Sequence, residues 1–163
     1  MSGTDVSAMS TTEMPQEVSS LLLPLADGQL LVPVDTLSEI IALQSPVSAF
    51  DAPDWYMGEL HWRELRLPLI SFEVMRGNPM PVLRSNCRIA VLSSGNSEGD
   101  LPFFAVVLQG TPRLVRVTPS ELAGREGECA MGELMHVALS GEEAVIPNLS
   151  ELEEACLAYR SRR

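Results

Sequence analysis

Apolar residues in this chain recur at every second position over short runs, and the clearest run spans Trp55 to Phe72, WYMGELHWRELRLPLISF. Leu60 and Trp62 fall on one face of an extended segment, with Glu59, His61 and Arg63 on the other. After a tight reversal, Leu65, Leu67 and Leu69 share a face, so the spacing predicts a β-hairpin. Pro68 cannot donate to a sheet ladder, which predicts an edge position, a bulge or lost pairing near it.

Elsewhere the pattern is cut into short pieces. Residues 1–17 are rich in Ser and Thr and aperiodic, which predicts a disordered tail that folding does not need. Leu21 to Leu25 and Leu30 to Val34 flank Ala-Asp-Gly-Gln, and Asp27-Gly28 predicts a hairpin. In DTLSEIIAL the positions Leu37, Ile40 and Ile41 have helical spacing after a candidate Asp35 cap, with irregular chain as the alternative. Pro46 and Pro53 break the next stretch into a loop, and Gly77, Pro79 and Pro81 mark residues 75–86 as the connection between two halves of a domain over 18–160.

Residues 87–94 and 102–109 predict an antiparallel pair, and Arg113 to Thr118 a less regular strand ending in a turn or single helical turn. Residues 123–133, with three glycines, read as a flexible loop, and Leu134–Leu139 and Glu143–Ile146 as a last pair around Ser140-Gly141. Asn148 with Glu151 three positions on has capping-box spacing. It opens a helix with Leu149, Leu152, Cys156 and Tyr159 on one face and arginines at its end. About nine strands and one helix, with Gly/Pro turns at short spacing, define a mostly-β barrel or sandwich.

Charge narrows the partners. The 163 residues carry 22 Asp+Glu against 11 arginines and no lysine. Residues 1–62 hold nine acids and no arginine, so a polyanion would be repelled and nucleic acid is excluded as a partner. Arg63 to Arg88 reverses the trend, with five arginines against Glu64 and Glu73. It is a candidate surface for an acidic protein, scattered solvated arginines being the alternative. Cys87, Cys129 and Cys156 lie far apart, and this pattern predicts reduced, buried thiols. No basic leader precedes an apolar run, and no run approaches about 18 apolar residues, so a cytoplasmic protein without membrane insertion is expected.

Candidate chemistry is sparse. His61 and Glu64 form an H-x-x-E on a hairpin, where that spacing does not converge on a metal. A cysteine nucleophile needs a base such as His61 or His136 near Cys87 or Cys129, and the sequence alone does not bring them together. Trp62 beside Arg63 is a candidate binding hot spot. The alternative is a Trp62 packed between two barrels with Arg63 in an internal ion pair.

The order Gly58, Leu60, Arg63, Pro68, Leu69, Ile70 resembles the CheW family of chemotaxis coupling proteins, whose stretch reads G-apolar-x-N-L-R-G before a strand ending P-V-x-D-L. LLLPLADGQLLVPVDTLSEI is similar to the family's opening, and the likeness covers most of residues 20–155. His61, Glu64 and Ser71 depart from the usual Asn, Gly and Asp, and Leu108-Gln109 replaces a usual V-D. A glutamate in place of the turn glycine predicts a remodelled turn that avoids positive φ at Glu64.

The resemblance implies two small SH3-like five-stranded barrels on a shared core with a C-terminal helix. It implies a non-enzymatic adaptor, without cofactor or metal, that links a chemoreceptor's cytoplasmic tip to the regulatory domain of a CheA-like histidine kinase. Partner contacts are then expected at Leu37, Glu39, Gly58, Trp62, Arg63, Leu65, Val106 and Leu108. The departures indicate a divergent member, with pilus-based (type IV) surface motility as a candidate setting. The competing class is a small β-barrel enzyme or ligand-binding domain using His61 or a cysteine.

Overall fold

The structure, a computed structural model, describes residues 17–161 except 97 and 126. The expected tail falls on residues 1–16, outside the described residues, and on the exposed Glu17. Among the described residues eleven strands form two sheets: a six-stranded sheet in the order Arg113–Val117, Val18–Leu25, Gly28–Pro33, Glu142–Pro147, Glu133–Leu139, Leu122–Arg125 and a five-stranded sheet in the order Leu37–Ala42, Arg88–Ser93, Phe103–Leu108, Leu65–Ile70, Tyr56–Trp62. These are the two SH3-like barrels that the resemblance implies, one of them with an extra strand.

In the first sheet β1 (Val18–Leu25) and β2 (Gly28–Pro33) close the expected hairpin, with Leu25 opposite Gly28. Its other members are β8 (Arg113–Val117), β9 (Leu122–Arg125), β10 (Glu133–Leu139) and β11 (Glu142–Pro147). β9 arises where a flexible loop is expected, because residues 122–125 pair with β10 from His136 to Leu139.

The second sheet comprises β3 (Leu37–Ala42), β4 (Tyr56–Trp62), β5 (Leu65–Ile70), β6 (Arg88–Ser93) and β7 (Phe103–Leu108). β3 is a strand where helical spacing suggests a helix. Its register with β6 shifts between Leu37 and Glu39, and such a bulge adds one residue and breaks the two-residue period. Pro68 acts as expected: β5 pairs with β7 only at Leu69 and Ile70, just beyond the proline.

The chain passes from the first sheet to the second at a 3-10 turn, Val34–Thr36, and returns at residues 109–112. Residues 75–86, expected to join two halves, instead lie between β5 and β6 of the five-stranded sheet. They begin at the end of a one-turn helix, Phe72–Met75, whose first turn is capped by Ser71 Oγ accepting from the Val74 N–H at 3.3 Å. Serine and aspartate are both good N-caps, which accounts for Ser71 standing where the family usually has Asp.

Each barrel has its own interior, and a third cluster joins them. Leu22, Leu31, Val117, Val137, Leu139 and Ala144 fill the first, and Leu60, Leu69, Ile89, Ala105 and Val107 the second. The shared core brings Leu21, Leu23, Leu30 and Val32 against Ile70, Leu92, Phe104, Val106 and Leu108. The C-terminal helix, Leu149–Arg160, adds Leu152, Cys156 and Tyr159 to this core, as its apolar face predicts. Asn148 caps it by accepting from the Glu151 N–H at 3.1 Å, while the Glu151 carboxylate turns to the Gly132 N–H.

Polar contacts also cross between the barrels. Glu73, 1 % exposed, accepts from the Ala26 N–H of the β1–β2 turn at 2.9 Å, and Arg76 binds Asp27 of that turn and Glu133 of β10. Glu59, on the face of its strand opposite Leu60 and Trp62, is buried as well. It accepts from Tyr56 Oη at 2.6 Å and from Arg160 at 3.2 Å, because the C-terminal helix lies over that face.

Candidate functional site

The residues singled out around the central hairpin converge at one end of the five-stranded barrel. β3 and β4 are its two edge strands, and curling of the sheet brings Glu39 of β3 to Trp62 of β4. The indole Nε1–H donates to Glu39 Oε1 at 3.0 Å, and an Arg63 guanidinium N–H donates to the same oxygen at 3.0 Å. The guanidinium also lies 4.5 Å from the centre of the Trp62 ring, close enough for a cation–π contact.

Trp62 itself is 7 % exposed and packs inside one barrel, on Leu67, Val91, Ile41 and Phe103. It therefore neither packs between the barrels nor presents its ring outward. Arg63 is the exposed member, with 65 % of its side chain in solvent, so its ion pair is a surface pair rather than an internal one. Stacked on a ring and tied to a carboxylate, the guanidinium is held in one orientation while its remaining donors face water. Such a rigid, planar donor suits a carboxylate on a partner.

The turn that carries Arg63 has two residues, Arg63 and Glu64, at φ 49° and 64°. Trp62 pairs with Leu65 across it, and a two-residue hairpin with positive φ at both positions is the type I′ geometry. The expectation of a remodelled turn is thus overturned: Glu64 takes the left-handed conformation that glycine adopts more cheaply. The right-handed twist of β4 and β5 favours the primed turns, and positive φ at both Arg63 and Glu64 makes this one type I′.

Of the remaining expected contacts, Leu65 is 39 % exposed beside the turn, and Leu37 is half-buried, packed on the shared core. Gly58 is buried, with φ 144°, and a Cβ there would lie 2.4 Å from the Val47 carbonyl oxygen. It serves the approach of residues 46–47 to β4. Val106 and Leu108 are corrected outright: both are 0 % exposed, because β7 is an inner strand covered on both faces.

His61 is exposed on β4 and Cys87 is buried against Gln109, so the two stand apart. Cys129 is exposed, against the expectation of three buried thiols, and it lies beside His136 and Glu133. Among the described residues no helix is long and apolar enough to cross a membrane.

The molecule is thus two joined SH3-like barrels with a shared core and a polar clamp at one rim. The family model described as "CheW-like domain" matches residues 19–153, and the chain belongs to that family. In fold it is similar to the crystal structure of the scaffolding protein TtCheW from Thermoanaerobacter tengcongensis, with a TM-score of 0.68 at 11 % identity. The match covers 82 % of this chain and 89 % of that one. No curated protein sequence matches the chain.

Proposed function

We propose that the protein is a non-enzymatic adaptor of a chemosensory array, coupling the cytoplasmic tip of a chemoreceptor to the regulatory domain of a CheA-like histidine kinase in the cytoplasm. The observation that carries this reading is Arg63, exposed yet oriented by Glu39 and Trp62, at the position where the family resemblance places a coupling arginine. Leu37 and Leu65 supply apolar surface beside it, as binding hot spots combine a fixed polar group with an apolar surround. The departures at Glu64, Ser71 and Gln109 suit a divergent coupler, with pilus-based motility as a setting. The enzyme reading gains no support at His61, which is exposed on a strand, or at Cys87, which is buried with the Arg84 N–H and Gln109 as its partners.

A pull-down from native lysate, read by mass spectrometry, tests the proposal. The wild-type chain should recover a chemoreceptor and a histidine kinase, and Arg63→Glu should lose the receptor while its circular dichroism is unchanged. Recovery of neither protein by the wild type refutes the adaptor reading, and normal receptor recovery by Arg63→Glu refutes the surface.

A further inference from the structure

A second cluster lies on the six-stranded barrel, apart from the Arg63 clamp and unrelated to it. Cys129, in the loop before β10, and Glu133 and His136, both on β10, bring one thiol sulfur, one carboxylate oxygen and one imidazole nitrogen within 4.8 Å of one another. His136 Nε2 is 2.7 Å from Glu133 Oε1. The carboxylate is 4 % exposed and fully engaged: Oε1 also accepts from the Ala130 N–H at 2.7 Å, and Oε2 from Arg76 at 2.9 Å. Burial pushes the Glu133 carboxyl up, but the bonds from His136, Ala130 and Arg76 outweigh it and hold the group below the usual carboxylate range. A cavity of about 330 Å³, lined in part by His136, Arg76, Asp27 and Gln29, opens beside it.

We propose that Cys129, Glu133 and His136 bind a borderline-soft divalent transition-metal ion, zinc being the ion whose ligand preferences fit best. Calcium and magnesium take oxygen donors only, whereas a mixed sulfur, nitrogen and oxygen set suits zinc, with solvent as the fourth tetrahedral ligand. Tetrahedral bonds of about 2.0–2.3 Å put donor atoms roughly 3.5 Å apart, so the His136–Glu133 pair spreads by less than about 1 Å and the thiol closes by a similar amount. Gly127 and Gly132, at φ 140° and 87°, flank Cys129 in the loop that makes this closure.

Charge balances. The ion displaces the Cys129 thiol proton to solvent, and the thiolate and Glu133 together neutralise the dication. Arg76, which would oppose a cation, is paired with Asp27, and its bond to Glu133 Oε2 orients the liganding oxygen from outside. The bound ion fastens the loop before β10 to the strand.

The test uses the full chain without an affinity tag, stripped by chelator and titrated with zinc chloride or cobalt chloride. One equivalent of zinc should be taken up in competition with a chromogenic chelator. The cobalt form should show thiolate-to-metal charge-transfer absorption in the near ultraviolet. Cys129→Ser, at an exposed site that folding does not need, should abolish that absorption. His136→Ala should weaken zinc binding by at least about 10-fold, and Cys87→Ser should bind as the wild type does. Failure of the wild type to take up one equivalent overturns the site. So does uptake that survives both Cys129→Ser and His136→Ala, or a cobalt spectrum without the thiolate band.

Discussion

Glu64→Gly should make the protein more stable, and the magnitude follows from the turn. A non-glycine residue held in the left-handed region costs about 1–2 kcal/mol, which glycine does not incur. Against this, glycine gives the unfolded chain more freedom, a loss of about 0.4–1 kcal/mol. The Glu64 side chain is exposed, so little packing is removed. The net gain is about 0.5–1 kcal/mol, which in a domain of this size raises the melting temperature by about 1–4 °C. Urea denaturation followed by tryptophan fluorescence reads it directly, since Trp62 sits next to the turn, and the midpoint should rise with the slope unchanged. Glu64→Asn, which tolerates positive φ better than glutamate, should fall between the two. A midpoint that stays level or drops in the glycine variant refutes the reasoning, because it would mean that the observed φ at Glu64 carries no strain.

Two further outcomes follow from the interior. Gly58→Ala should cost about 1–3 kcal/mol, because its Cβ meets the Val47 carbonyl oxygen at 2.4 Å and the Val47–Glu59 bridge must open; an unchanged urea midpoint would count against that close approach. Burial pushes the Cys156 thiol up to about 12 from an ordinary 9.0, so its contribution to stability is intact below the ordinary value and is lost as pH rises from there toward the folded one. The stability of the wild type relative to Cys156→Ala should therefore decline by up to about 1.4 kcal/mol per pH unit above the ordinary thiol pKa, and a constant difference would show that the thiol ionises freely.

Local signals in the chain were readable where one force dominated. Asp27-Gly28, Ser140-Gly141 and Asn148 with Glu151 each mark a terminus by turn or cap chemistry, and each lies where the residues imply. β3 misleads because its bulge puts Leu37 on the same face as Ile40, three positions on, with Ile41 on the opposite face, so a strand acquires helix-like spacing. Val106 and Leu108 mislead for a different reason: a strand buried on both faces has no alternation, and apolar side chains alone do not tell core from docking surface. The clamp was half legible. Arg63 and Trp62 are neighbours in the chain, but Glu39 reaches them only because the sheet curls its two edges together. Cys129 and His136 were visible as candidates but not as neighbours, because Cys129 lies in an aperiodic loop whose return to β10 no local pattern records.

The two passages between sheets give the fold an unequal schedule of assembly. The strands from β3 to β7 are consecutive, so the five-stranded barrel can close on itself while later residues are still being synthesised. The other barrel cannot, because Leu30 of β2 waits for Val145 of β11 and β1 waits for β8. The β1–β2 hairpin, with Leu21, Leu23, Leu30 and Val32 facing the future seam, is then left uncovered until the five-stranded barrel is complete at β7. Its first available cover is the apolar face of the finished barrel, which makes that barrel a template for its neighbour.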